Sequence, residues 1–535
     1  MTSGAVRAGR REWIGLAVIA LPCLLYSMDL TVLNLAIPSL SADLEPTSSQ
    51  LLWIVDIYGF LIAGSLITMG TLGDRIGRRR LLLMGATAFG IASVLAAFST
   101  SAEMLIATRA LLGLAGATLA PSTLSLIRNM FLDAQQRTMA IAIWATSYSV
   151  GAAIGPLVGG VLLQHFWWGS VFLVSVPVMA LLLVLGPMLL PEYRDPDAGR
   201  MDVRSAALSL VAVLSVIYSL KRIAVDGIGW VPAVWILAGL AAGAMFVRRQ
   251  HTLEDPLIDL RLFRAPAFSG ALVTSTFALF AAFGAFLFMA QYLQSVLGLS
   301  PLMAGIWTIP SSGGFIAGSM LAPLVVRRVH PGFVMAGGLT LAAMGFAILT
   351  QIDGASGLAL IVSGSIVMAF GISPVVILAT DIIIGTAPPE RAGAASAISE
   401  TGAEFGGALG IAILGSIGTS VYRSEMAASL PPAIPAATAE AARETLGGAV
   451  AMADRLPEQL GSVLVMSARE AFARAFETTA AVSASILIVL AIVAAVLLRG
   501  VRRANEPDAH RSRQSPGTSP LISSHEPPGE QSFPV

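Results

Sequence analysis

Five ionisable residues stand inside stretches that are otherwise apolar: Asp29, Asp56, Arg109, Glu400 and Glu404. A charge near the centre of a lipid bilayer costs at least ~2.5–3.5 kcal/mol, so each needs a partner or a task. Glu400 and Glu404 are four apart and share one face of a helix. Asp29 lies 16 residues past Trp13 and nine before Pro38, roughly 14 Å from the far end of that run at about 1.5 Å per residue. Asp56 and Asp381 sit nearer the ends of theirs. A carboxylate in such a setting binds a proton or a cation but not both, because desolvation favours the neutral acid and a nearby cation favours the anion. That competition is the chemistry a cation/proton exchanger needs. For each acid the plainer alternative is a structural hydrogen bond or a side chain reaching to the interface.

The elements that hold these residues follow from composition. Of 535 residues, 56% are hydrophobic and 12% charged, against roughly 45–50% and about 25% in soluble proteins, which excludes a soluble enzyme. Net charge is zero and points to no nucleic-acid partner. Apolar runs lie near Trp13–Pro38, Leu51–Gly70, Leu81–Phe98, Met104–Ile127, Thr138–Leu163 and Trp167–Leu190, then Val203–Ile223 and Trp230–Val247. Six more follow: Phe268–Leu293, Met303–Val326, Phe333–Thr350, Gly357–Ala379, Ala392–Ser420 and Thr478–Leu498. Most reach the ~30 Å of hydrocarbon, giving fourteen spans in an all-α integral membrane protein. The first run is too long for a secretory signal and reads as a retained helix.

Orientation follows from the basic residues, which should crowd the cytoplasmic connectors. With the amino terminus inside, 24 of 32 fall there, including Arg75, Arg78, Arg79 and Arg80; Lys221 and Arg222 count as outer. Both termini are expected in the cytoplasm of a multi-pass protein of the cell (inner or plasma) membrane. The connector at 421–477 is expected to carry an outer hairpin of helices at Ala437–Leu456 and Glu458–Phe476, and the Pro- and Ser-rich tail at 499–535 to be disordered. The boundaries predicted are a tail at 1–12, a six-helix bundle at 13–190, two extra spans with their linkers at 191–266, and a second bundle at 267–498.

A repeat supports the six-plus-six arrangement. Arg137 precedes Gly151-x3-Gly155-x3-Gly159 in the fifth span, and Arg391 precedes Gly402-x3-Gly406-x3-Gly410 in the thirteenth, the fifth of each group. Glycines four apart form a ridge that admits a second helix at close range. A composition this rich in glycine also produces such ridges by chance.

Four motifs carry a family resemblance. The connector Gly70-Thr71-Leu72-Gly73-Asp74-Arg75-Ile76-Gly77-Arg78-Arg79-Arg80 resembles the signature loop of the major facilitator superfamily; physically it is a tight turn with charges at two helix ends, able to act as a conformational latch. Asp29-Leu30-Thr31-Val32-Leu33-Asn34-Leu35-Ala36-Ile37-Pro38 is similar to the first-span signature of the fourteen-span drug/proton antiporters. Gly151, Gly155, Pro156, Gly159 and Gly160 match the exporter glycine motif, and Arg109 with Gly113 resembles the fourth-span arginine motif of proton-coupled members. Trp53, Asp56 and Tyr58 place the resemblance nearest to exporters of quaternary ammonium compounds and other lipophilic cations. It runs from Trp13 to Leu498. Two departures stand out: only Arg327 and Arg328 remain of the second-half latch, and the tenth span has no carboxylate.

The resemblance implies the major facilitator fold, two six-helix bundles plus two extra linking helices, and export of cationic drugs in exchange for protons. Asp29, Asp56, Glu400 and Glu404 would bind protons and cations, with Arg109 as relay or structural residue. Trp53, Tyr58, Trp144, Tyr148, Phe283, Phe286, Trp307 and Phe315 are candidates for the substrate cavity, by cation–π and apolar contact. No metal or cofactor is expected, since the one cysteine (Cys23) and five histidines form no metal spacing and the single lysine, Lys221, stands in no nucleotide-binding loop. The expected partners are lipid, protons and small lipophilic cations, with no nucleic acid, and the expected state is a monomer. The alternatives are a narrow exporter of one metabolite, antibiotic or siderophore on the same scaffold, and a sensor that kept the fold but lost transport.

Overall fold

The computed structural model describes residues 7–194, 202–253, 256–352, 357–386, 392–431 and 433–499. Among them every regular element is helical: α1 (Arg10–Leu44), α2 (Ser48–Ile76), α3 (Arg78–Ala97), α4 (Ala102–Gly116), α5 (Leu119–Met130), α6 (Ala134–His165), α7 (Ser170–Leu173), α8 (Ser175–Leu189), α9 (Val203–Asp226), α10 (Trp230–Thr252), α11 (Pro266–Gln291), α12 (Pro301–Val325), α13 (Pro331–Leu349), α14 (Gly357–Thr386), α15 (Ala392–Ser429), α16 (Ala436–Glu444), α17 (Leu446–Ala453) and α18 (Glu458–Leu497). Helices prevail because hydrocarbon offers no partner to a free N–H or C=O. Fourteen stretches are long and apolar enough to cross a membrane, as the hydropathy predicts. Polar residues begin several of them: Thr47, Ser101, Asp133 and Ser300 each accept a bond from a backbone N–H in the first turn.

Several boundaries differ from expectation. Pro38 does not end the first span; α1 carries both Pro22 and Pro38 inside it and continues to Leu44. The fourth span breaks at Ala117 and Thr118 into α4 and α5. The thirteenth extends to Ser429, and the hairpin's second helix is no separate element, because α18 runs unbroken for 40 residues. At about 1.5 Å per residue that is ~60 Å, twice the hydrocarbon thickness, so α18 projects well past the membrane. Only α16 and α17 form the rest of the expected hairpin. Arg391 and the 500–535 tail lie outside the described residues.

The two glycine ridges do equivalent work. A Cβ on Gly151 would lie 2.2 Å from the Leu24 carbonyl oxygen, and one on Gly155 2.2 Å from Thr31 Oγ1, so α6 lies against α1 at backbone distance. In the second group a Cβ on Gly406 would meet the Thr276 carbonyl at 2.2 Å and one on Gly410 the Phe280 carbonyl at 2.0 Å, so α15 lies against α11 in the same way. Fifth helix on first helix is thus repeated in both halves. Contacts between the halves gather on the side of the α16–α17 hairpin. There α2 packs on α15 and α6 on α12, with Cβ positions on Gly160 and Gly305 falling 2.8 and 2.3 Å from the carbonyls of Pro301 and Pro156. The linker helices α9 and α10 pack together, and α9 straddles the α2–α15 seam through Ile217, against Phe60, Ala408 and Ala412.

Candidate functional site

Glu404 sits where the two halves meet. The Tyr26 hydroxyl of α1 donates to its carboxylate at 2.7 Å, across the seam. Around it lies a cavity of about 200 Å³ lined by Tyr26, Asp56, Tyr148, Phe283, Glu404 and Gly407 among others. Toward the hairpin the seam is tight, since a Cβ on Gly415 would fall 2.5 Å from Leu52 Cδ2. One turn toward the other side Glu400 is exposed. Two of the four predicted carboxylates, Asp56 and Glu404, therefore share one cavity with two tyrosines and a phenylalanine.

Asp29 is not among them. Its carboxylate accepts from Arg109 Nη1 at 2.5 Å inside the first bundle, with Arg109 1% and Asp29 15% exposed. Gly113 makes this possible: a Cβ there would lie 2.6 Å from the Tyr58 carbonyl, so its absence lets α4 close on α2. Arg109 then donates to the Ile54 carbonyl at 3.1 Å and stands over the Tyr58 ring at 4.5 Å. The arginine thus holds both a carboxylate and a backbone oxygen. A contiguous route joins the two places, because Tyr58 lies 6.2 Å from Tyr26 between ring centres and Tyr26 bonds Glu404.

Asp56 has a partner that sequence reasoning missed. Lys221, counted as an outer-connector charge, is wholly buried in α9; its ammonium bonds Asp56 at 2.8 Å and lies 3.6 Å from the centre of the Trp53 ring. A lone lysine inside an apolar run was the available signal. Trp53 packs its ring against the Lys221 ammonium and is not among the residues lining this cavity. Tyr58 is likewise buried under Arg109. Trp144 donates to Thr123 at 3.0 Å and packs edge-on to Tyr148, behind the lining. Phe286 packs on Phe283, Trp307 and Phe315 are half-buried on α12, and Asp381 is exposed at the end of α14.

The contacts of the expected latch lie within the first bundle. Gly77, at φ +111°, makes the turn from α2 to α3. Arg78 bonds Asp74 at 2.5 Å and donates to the Pro121 carbonyl at 3.3 Å, while its N–H reaches the Tyr193 carbonyl. Gly70 lies beside Pro121, and Arg75 is exposed in the last turn of α2, where its charge complements the helix dipole. An open groove of about 1190 Å³ runs along α18, and none of these carboxylates lines it.

A helical membrane protein of two packed halves, with carboxylates at the seam, has the architecture of a transporter. The sequence profile described as Major Facilitator Superfamily matches residues 19–411, and the chain belongs to that family. It is 42% identical over 93% of its length to the multidrug efflux pump LfrA of Mycolicibacterium smegmatis, covering 98% of that protein. It is 37% identical to the methyl viologen resistance protein SmvA of Salmonella typhimurium (90% and 97% covered) and 32% to the tetracenomycin C resistance and export protein of Streptomyces glaucescens (95% and 94%). In fold it resembles a solved bacterial homologue of the human lysosomal transporter Spinster in its inward-facing, unoccupied conformation, with TM-score 0.62, 17% identity and coverage of 91% and 98%.

Proposed function

We propose that this protein exports lipophilic organic cations across the cell membrane in exchange for protons, by alternating access between its two halves. The observation that carries the reading is the seam cavity, in which Glu404 supplies negative charge beside Tyr26, Tyr148 and Phe283, with Asp56, paired to Lys221, also in its lining. Carboxylate for the charge and aromatic faces for the ring system are the two features that recognise such a ligand. At about 200 Å³ the cavity is smaller than the roughly 300–1,000 Å³ of a drug site, so binding requires the halves to part. Multidrug and methyl viologen resistance relatives support drugs as the cargo class.

In the proposed cycle, Glu404 faces the cytoplasm, loses its proton and takes the cation; after reorientation it is protonated from outside and the cation leaves. Asp29 with Arg109 is the second coupling site, linked to Glu404 through α1, which carries both Tyr26 and Asp29. One proton entering supplies about 2.3 kcal/mol per 100 mV and about 1.4 kcal/mol per pH unit, sufficient for roughly hundredfold accumulation. Both termini and the Arg75–Arg80 turn lie on the cytoplasmic side in this scheme, with the hairpin outside.

The test is ethidium efflux from preloaded cells with and without a protonophore, for the native protein and Glu404→Gln. Protonophore-sensitive efflux that the variant reduces about tenfold, a loss of ~1.4 kcal/mol in cation binding, is expected. Efflux insensitive to the protonophore would remove proton coupling, and equal efflux by the variant would remove Glu404.

A further inference from the structure

Lys221 is the only lysine in a chain whose other 31 basic residues are arginine, and it lies at the seam the halves share. Its Nζ is 2.9 and 2.8 Å from the two Asp56 oxygens, and both side chains are 0% exposed. The same ammonium sits over the Trp53 ring at 3.6 Å. An ammonium between a carboxylate and an indole face has the recognition chemistry of a bound organic cation. Asp56 also lines the cavity that holds Glu404, so the lysine takes up one of that cavity's two acidic partners from behind. The helix carrying it touches both α2 and α15 and so feels the seam open.

We propose that Lys221 is a tethered internal cation, occupying Asp56 and Trp53 until a substrate cation displaces it, which makes linker helix α9 a specificity-determining part of the binding site. This rests on the reading of the protein as a cation exporter. The exchange balances in charge: one cation arrives at Asp56 and one ammonium, keeping its proton, swings away. In the empty protein the pair stays neutral as a unit, and a neutral molecule gains nothing by displacing the lysine. A flexible four-carbon stem with a compact head suits this role, where a guanidinium is a rigid planar fork preorganised for a carboxylate.

Two measurements on the full-length protein in lipid nanodiscs test the idea. Ethidium titrations followed by fluorescence are made on the native protein, Lys221→Met, Lys221→Arg and the double variant Asp56→Asn/Lys221→Met. Removing the internal competitor should tighten ethidium binding by about tenfold in Lys221→Met, with the gain absent in the double variant and in Lys221→Arg. The second measurement needs no variant. Amine-reactive labelling, mapped by mass spectrometry to the peptide containing Lys221 and so separated from the chain's terminal amine, should be negligible alone and rise severalfold with saturating ethidium. If Lys221→Met does not fold, labelling of the native protein decides. Ethidium binding that is unchanged in Lys221→Met, or native protein that binds ethidium with Lys221 still protected, would overturn the lysine's role and leave cation export standing. No ethidium binding by the native protein or any variant would overturn the export reading, and this proposal with it.

Discussion

At Asp29 a carboxylate meets a guanidinium at 2.5 Å in the interior of the first bundle, and the pair constrains what any substitution there does. Replacing Asp29 by Asn leaves the Arg109 cation buried without its counter-charge, which costs about 3–5 kcal/mol. We therefore expect Asp29→Asn to lose protonophore-sensitive efflux and also to melt lower in detergent. Asp29→Asn/Arg109→Gln should recover most of the melting temperature and none of the transport. Recovery of transport in the double variant would assign the pair a purely structural role. Residue types announced the carboxylates, since an acid in an apolar run is conspicuous. Which acid shares a cavity with which was not legible, because Asp29 and Asp56 face different neighbours on different helices and spacing along one chain says nothing of that.

Helices bring these groups together at backbone distance, and the glycines that allow it are sensitive to a single methyl group. Gly410→Ala places a carbon about 2.0 Å from the Phe280 carbonyl and should cost about 1–3 kcal/mol of stability, read as a lower melting temperature. Gly305→Ala acts at the joint between halves, not within one. We expect it to spare folding and to hold the hairpin side apart, seen as greater labelling of cysteines placed along the Pro301 end of α12. The linker pair offers a pH test. Asp202 caps α9 by accepting from the Ser205 N–H and pairs with Arg249 of α10 at 2.9 Å. The bonds from Arg249, with those from Ser205, hold its carboxyl down at about 2. A depressed carboxylate contributes stability above its ordinary range near 4 and loses it as pH falls toward its folded value. The gap in melting temperature between the native protein and Asp202→Asn should therefore be full at pH 6 and narrow progressively from about pH 4 toward pH 2. A gap independent of pH would remove the ion pair as its source.

Across the whole molecule the hairpin ties the two halves together on one side. Glu444 accepts from the backbone N–H and hydroxyl of Ser48, at the start of α2, and pairs with Arg423 of α15. Burial pushes the Glu444 carboxyl up, but the Ser48 and Arg423 bonds outweigh it and hold it below its ordinary value. Glu444→Ala should loosen this tie and broaden the distances between spin labels on the hairpin ends of α2 and α12, while an unchanged distribution would leave the hairpin without a part in closure. Fourteen spans, the equivalent placing of the two glycine ridges and the family were all determined by the sequence, because hydrophobic length, helical period and turn chemistry are local properties of the chain. The insertion of Lys221 beneath Asp56, the break in the fourth span, the confinement of the Arg78 latch to one bundle and the unbroken length of α18 were decided only by the tertiary structure. Each depends on which surfaces, distant along the chain, come into van der Waals contact. A lysine looks like a connector charge until another helix supplies its carboxylate and its indole.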